Sequence, residues 1–352
     1  MLEKLFTRIG SWPHSGFDSD VVISTRVRMA RNFPNLSFPH MLEGNDVSVL
    51  ESLARKFAES SAFSGNIIIV EISRLDEMDR RFLRERGLIT TELEHAPHSF
   101  ALIDSDQKFA VMVNEEDHFR IHIIRPGLEI RQSMEEIEPI DNELNTFVPY
   151  AYSPEFGHLT ARPINAGSGL KISLMMFLPT LTITRSLGDL ISFLKSKNIA
   201  MRGVIGETLE TVGSLYLLNN AVSCGYPEEE LEEIMKSSAH FLIDEERKSR
   251  EQYYSQNRKK VEDRVWRSWG ILRYGRSISY PESMEHLSNI RLGILLSLIK
   301  NIDLRKINDL MINIQWSHLQ RVTGSRFNSI AEADECRADY LRSTIESGDK
   351  TG

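Results

Sequence analysis

The stretch VVISTRVR at 21–28 constrains the fold more than any other part of the chain. It alternates with a period of two and so reads as a β-strand. Val21, Ile23, Thr25 and Val27 share one face, and Val22, Ser24, Arg26 and Arg28 share the other. Such a strand belongs in a sheet that puts one side against a core. Arg31 follows close behind. A guanidinium is planar, keeps its charge and matches phosphate oxygens. Taken alone, the pattern also describes a solvated strand face carrying surface ion pairs.

Other segments extend the sheet. NIIIVEI (66–72) is a short β-branched run, and FAVMVNEEDHFRIHII (109–124) reads as one strand. After Asp117 its alternation is clear: Phe119, Ile121 and Ile123 face one way, and Glu116, His118, Arg120 and His122 the other. Between 45 and 62, Val47, Leu50, Leu53, Ala54 and Phe57 recur at helical spacing. SGLKISLMMFLPTL (168–181) predicts a helix opened by Gly-Ser-Gly and stopped near Pro179, and ETVGSLYLLNNAV (210–222) predicts another. From Pro227, where proline and acids open a helix, the pattern is helical to the end, with further helices expected at 283–300, 302–315 and 329–346. The 352 residues suit two domains, and the change near Cys224-Gly225-Tyr226-Pro227 divides them into 1–226 and 227–352.

Composition removes several function classes. A formal net charge of −8 disfavours sequence-independent binding to nucleic acid. Cys224 and Cys336 lie far apart and form no CxxC, which excludes a disulfide scaffold or cysteine zinc site and suits a reducing cytoplasm. The N-terminus lacks an apolar signal core, and the longest apolar run, 170–183, is interrupted by Lys171 and Pro179, so no membrane segment is expected. There is no GxxxxGK[ST] loop, no HRD or DFG, and no third glycine after Gly167 and Gly169. His118 and His122 read as structural residues, and no metal-ligand set is assigned.

What remains is a constellation of charge. Glu116 and Arg120 follow an apolar strand in NEEDHFR, either as a site for a cation and an anion or as an internal ion pair. In MRGVIGET (201–208), Gly203 and Gly206 permit a tight mobile loop bracketed by Arg202 and Glu207, which suits a lid and equally a surface turn.

Together, STRVRMARN (24–32), VNEEDHFRI (113–121), LTARPINAGSGLKISLMMFLP (159–179) and RGVIGE (202–207) resemble the phosphagen kinase superfamily, the ATP:guanidino phosphotransferases. The block VEDRVWRSWGILRYGRSISYPESMEHLSNIRLG (261–293) is similar to its bacterial branch, the protein-arginine kinases, and the resemblance runs from about 20 to about 345. It implies an α+β fold: an antiparallel β-sheet flanked by helices, a phosphagen kinase/glutamine synthetase-like catalytic domain, followed by a C-terminal all-helical domain. It implies transfer of the γ-phosphoryl of ATP, with Mg²⁺, to a guanidinium nitrogen. Positions matching the family's ATP-phosphate contacts are Ser24, Thr25, Arg26, Val27, Arg28, Arg120, then Lys171, Ile172, Ser173, Leu174, Met175, then Arg202, Gly203, Val204, Ile205, Gly206 and Glu207. Glu116 and Glu207 match the two carboxylates that grip the guanidinium. Such a pair can orient a guanidinium and remove its proton, and phosphoryl transfer depends mainly on positioning and electrostatics.

The chain also departs from that pattern. Arg162 and Ile164 stand where the family has cysteine and threonine, Lys171 where it has arginine, and Gly87 where it has a histidine near adenine. In ADECRA (333–338) the branch's phosphoarginine-sensing motif keeps Asp334 and Arg337 but has Ala333 for its first arginine. Arg162 is expected to turn aside, toward the phosphates or an acid such as Glu116, or else to impair the site. Two readings follow: a protein-arginine kinase, or a degenerate member acting as a nucleotide- or phosphoarginine-binding adaptor. With Arg26 so early, there is no room for the helical domain that precedes this fold in enzymes of free guanidino compounds, which favours protein substrates with exposed arginine. The resemblance further implies a homodimer and a zinc-binding activator protein, in the cytoplasm.

Overall fold

The computed structural model describes residues 5–6, 10, 12–60, 63, 67–204 and 208–348. The strands in chain order are β1 (Val22–Arg31), β2 (Ile67–Glu71), β3 (Phe100–Asp104), β4 (Phe109–Val113), β5 (Phe119–Pro126), β6 (Tyr152–Ser153), β7 (Gly157–His158), β8 (Leu170–Phe177), β9 (Ile199–Gly203) and β10 (Leu215–Asn220). β6 and β7 form a small hairpin, and the other eight form one sheet in the order β2-β3-β4-β5-β1-β8-β10-β9. Every pairing in that sheet is antiparallel.

Helices pack on both faces. α1 (Asn45–Ala58), α2 (Glu77–Glu85), α3 (Thr91–His95), α4 (Ile130–Phe147), α5 (Pro179–Ile183) and α6 (Leu187–Ser196) interleave with the strands. Leu50 and Phe57 of α1 and Ile137 and Leu144 of α4 pack on Val27, Met29, Ile121, Ile172 and Leu174 of the sheet. α2 starts where the Asp76 carboxylate accepts the Asp79 N–H at 2.8 Å. Phe82 and Leu83 of α2 cover Ala110 and Met112 on the opposite face, at the β2–β4 end of the sheet.

Three segments differ from the sequence expectation. Residues 170–177, expected within a helix, form the strand β8 near the middle of the sheet, and Pro179 opens α5 instead of stopping a helix. β8 is apolar on most positions because both of its faces are covered: Ile172, Leu174 and Met176 enter the core under the helices, while Met175 and Phe177 pack with the core of the helical region, which blurs the two-residue alternation. Residues 215–220, also expected to be helical, form β10. The expected single strand at 109–124 is a hairpin, and Asn114 turns the chain with φ 60° so that Glu115, Glu116 and Asp117 sit on its tip.

The helical region comprises α7 (Glu228–Tyr274), α8 (Tyr280–Leu295), α9 (Leu304–Asn313), α10 (Trp316–Thr323) and α11 (Ile330–Gly348). α7 begins with Glu228, Glu229 and Glu230 in its first turn and breaks at Asn257, whose φ of −127° is not helical. Before the break, Leu231, Met235 and Leu242 belong to the sheet's core. After it, Val265 and Leu272 belong to a second core with Leu287, Ile307, Leu310 and Leu341.

Buried polar contacts join this region to the sheet. The Glu246 carboxylate of α7 accepts the N–H groups of Thr180 and Leu181 at 3.1 and 3.0 Å. Burial pushes its pKa up to about 7 against those two donors. Glu85, the last residue of α2, accepts the Ser317 and His318 N–H groups at the start of α10 and the His318 Nδ1–H. Arg86 donates its Nε–H to His318 Nε2 at 2.8 Å. Arginine can only donate, so this bond fixes the histidine tautomer. Among the described residues no helix is long and apolar enough to cross a membrane.

Candidate active site

On the sheet face opposite the α1 and α4 core, β1 supplies the centre of a cationic surface. Direct strand pairing sets Arg28 between His122 of β5 and Lys171 of β8, and Arg26 between Ile124 and Ser173. Ser24 pairs with Met175, Met175 with Leu217, and Leu217 with Arg202 of β9. Arg120 pairs with Ala30 on the other flank. Paired residues point to one face, so Ser24, Arg26, Arg28, Arg120, Lys171, Ser173, Met175 and Arg202 share it. The alternate positions face the core: Val27, Ile172 and Leu174 pack there, and Thr25 Oγ1 donates to the Gly127 carbonyl at 2.6 Å. Arg31 also turns inward, to a two-pronged ion pair with Asp141 of α4.

Three of these cations, Arg26, Arg28 and Lys171, are short of counter-charge among the described residues. Arg26 donates to the Gly87 carbonyl at 3.0 Å and Arg28 to Ser173 Oγ at 3.2 Å, and neither has an ion-pair partner among the described residues. Burial lowers the Arg26 pKa to about 10. Burial, then Arg26 and Arg120 nearby, lowers Arg28 to about 9. Lys171, buried beside Arg28, Arg120 and Arg202, is lowered to about 8. Partly buried positive charges without counter-ions are costly unless an anion joins them.

The carboxylates stand at one edge. The β4–β5 tip curls back over Arg120, which pairs with Glu115 at 2.6 Å, Glu116 at 2.8 Å and Asp117 at 3.2 Å. Burial opposes the Arg120 charge, but Glu115, Asp117 and Glu116 outweigh it and raise the pKa. Glu115 also accepts from Thr90 and from its neighbour's N–H, and Asp117 from Asn32 and Ala161, so both are fixed by the fold. Glu116 is more open. One oxygen meets Arg120 and the other meets Arg162 Nε, whose side chain is 62% exposed. Of the alternatives for Arg162, the structure shows the turn toward Glu116.

Two glycines shape this surface. Gly87 has φ +75°, and a Cβ there would lie 2.4 Å from Arg26 Nη2. Gly203 leaves room for the Glu210 carbonyl, which a Cβ would meet at 1.8 Å, at the start of the loop that continues through Val204. Ile205, Gly206 and Glu207 lie outside the described residues. Reading the sequence singled out Glu116 but gave no role to Glu115, Asp117 or Gly87's carbonyl. The adjacent acids were the signal for the first two, while the last has no local signature.

Far from this surface, Arg337 of α11 is 2% exposed. Its guanidinium donates to the Ile314 and Ile278 carbonyls at 3.0 and 2.9 Å and pairs with Asp334. Ala333 is fully buried, and Ile164 is half-exposed.

The family model ATP:guanido phosphotransferase, C-terminal catalytic domain, matches residues 48–249, and protein-arginine kinase McsB C-terminal domain matches 258–351. A protein-arginine kinase of Caldanaerobacter subterraneus subsp. tengcongensis is 35% identical over 332 residues, covering 94% of this chain and 98% of that protein. One of Bacillus subtilis is 33% identical over 340 residues, covering 96% and 93%. Among solved structures, lombricine kinase superposes with a TM-score of 0.57 at 20% identity, covering 70% of each chain. The duplicated taurocyamine kinase from Schistosoma mansoni, with bound transition state analog components, gives 0.59 at 21%, covering 73% of this chain and 39% of that one.

Proposed function

The chain belongs to the ATP:guanido phosphotransferases, in their protein-arginine kinase branch, and from that premise we infer how its residues divide the work. It is a transferase that phosphorylates arginine side chains in proteins at the expense of ATP. The observation that carries the assignment of the site is the row of partly buried cations, Arg26, Arg28 and Lys171, without counter-charge among the described residues, beside the carboxylate tip.

Arg26, Arg28, Arg120, Lys171 and Arg202 hold the nucleotide phosphates, aided by Ser173 Oγ and by backbone of the strands that carry Ser24 to Arg28 and Lys171 to Met175. MgATP fits this donor set and, when bound, supplies the phosphoryl group, with the divalent ion neutralising part of its charge. Glu116 and Glu207 receive the substrate guanidinium. A guanidinium is protonated at neutral pH and has no lone pair to offer, so a carboxylate must orient it and take a proton as the nitrogen attacks. Glu116 can do this only after Arg162 leaves it, and the exposure of Arg162 lets a protein-borne arginine displace it from solvent.

We further propose a catalytic part at 1–226 and a regulatory helical part at 227–352, the latter mediating a homodimer and meeting a zinc-binding activator protein, all in the cytoplasm. The test is transfer of labelled γ-phosphate to protein as acid-labile phosphate. Glu116→Gln and Glu207→Gln should each suppress transfer and leave MgATP affinity nearly intact. Loss of MgATP affinity with unchanged turnover would refute the assigned roles.

A further inference from the structure

His122 lies under the guanidinium cluster and is 1% exposed, and neither ring nitrogen has a hydrogen-bond partner among the described residues. It faces Arg26 and Arg28 from β1 and Arg120 from its own strand. Ala110 pairs with it from β4, and Lys171 lies one strand beyond Arg28. Arg28 is its direct cross-strand neighbour, and the Arg28 Nε is likewise buried without a partner. One residue thus carries an unused acceptor, the other an unused donor, on side chains whose Cβ atoms stand about 5 Å apart in any antiparallel pair.

Burial, with Arg26, Arg28 and Arg120 close by, holds the imidazole pKa well below its usual value. The ring is therefore neutral and keeps a lone pair. A buried polar group left unmatched destabilises a fold, and its retention calls for a functional cause.

We propose that His122 is a positioning residue of the phosphate site, accepting the Arg28 Nε–H when nucleotide draws that guanidinium off Ser173. The inference rests on the phosphate-site reading above. With Nε held from the sheet side, the two terminal nitrogens of the planar fork point outward together, which is the two-pronged geometry that phosphate requires. His122 itself need not touch the ligand.

The experiment compares wild type, His122→Leu, His122→Met and His122→Gln, each also in an Arg28→Ala background. MgATP affinity is measured by calorimetry, melting temperature without nucleotide, and KM for ATP against kcat. Loss of one charge-assisted hydrogen bond predicts about tenfold weaker MgATP binding in the Leu and Met variants. Their melting temperatures should be unchanged or higher, because an unmatched ring has been removed. His122→Gln, which keeps an acceptor, should stay within about threefold of wild type. KM for ATP should rise while kcat holds, and in the Arg28→Ala background the His122 substitutions should have no added effect. The inference is overturned if the apolar variants bind MgATP like wild type, if their weaker binding tracks a fall in melting temperature that His122→Gln shares, or if the effects of the two positions simply add. Failure of wild type to bind MgATP would instead overturn the phosphate site itself.

Discussion

Replacing Arg162 with alanine removes the side chain that shares Glu116 with Arg120. If the Arg162 guanidinium stayed in place while a substrate guanidinium arrived ~4 Å away, the repulsion would be about 4 kcal/mol at an effective dielectric of 20, roughly a thousandfold in affinity. The structure does not require that. Arg162 is 62% exposed and Glu116 18%, so the displaced side chain enters water and the enzyme loses only a largely solvated ion pair. Such pairs contribute about 0.2–1 kcal/mol, which corresponds to a factor of about 1.5 to 5. Arg162→Ala should therefore lower KM for a protein substrate by that factor and leave kcat and KM for ATP unchanged. Steady-state kinetics at low ionic strength reads the effect. Near 1 M salt, where the screening length falls to about 3 Å, most of it should vanish. A gain of a hundredfold or more would show that Arg162 stays locked in the substrate's place. A fall in kcat of tenfold would refute the competition altogether and make Arg162 a working part of transfer.

Other substitutions probe the rest of the structure. Gly87→Ala puts a methyl group 2.4 Å from Arg26 Nη2 at a backbone angle of φ +75°, so MgATP affinity measured by calorimetry should fall at least about tenfold, and unchanged affinity would detach Arg26 from nucleotide. Lys171, lowered to about 8 from 10.5, is partly neutral in the free protein above pH 8 and regains its proton when an anion binds; MgATP binding should weaken as pH rises through about 8, with proton uptake visible in buffers of different ionisation enthalpy at pH 9. Lys171→Arg should diminish that uptake and leave the share of Arg28, whose pKa of about 9 also rises when an anion binds. Ala333→Arg forces a guanidinium into a fully buried position, so the melting temperature should drop by roughly 2–8 °C with no gain in affinity for a phosphoarginine peptide. Tighter peptide binding without destabilisation would instead support a ligand role for Asp334 and Arg337.

How much of this was legible in the sequence follows from the range of each interaction. β1 announced itself because its two faces meet different surroundings, core on one side and cations on the other. β8 did not, because apolar side chains are buried on both of its faces and an apolar run of that length reads equally as a helix. The NEEDH acids were visible as a cluster, but not their place on a hairpin tip, since the tight turn depends on Asn114 adopting φ 60°, a conformation no hydrophobic period encodes. The Arg26 bond to Gly87 spans 61 positions, and the alignment of Arg28 with both His122 and Lys171 depends on strand order. Residue types alone indicated phosphate chemistry, whereas the partners of each guanidinium required the assembled sheet.

Glu85, Arg86 and Gly87 are consecutive, yet the first two grip α10 and the third steadies Arg26. One partner of Arg86, Gln107, is 21 residues further along the chain, and another, His318, is 232 residues further. At synthesis rates of about 5–20 residues per second, His318 leaves the ribosome roughly 12–46 seconds after Arg86. Until then the peptide carrying the Gly87 carbonyl is held by the Arg86 bond to Gln107 and by its own helix end, but not yet by α10. A partly made chain therefore offers Arg26 an acceptor less firmly held than the one in the finished fold.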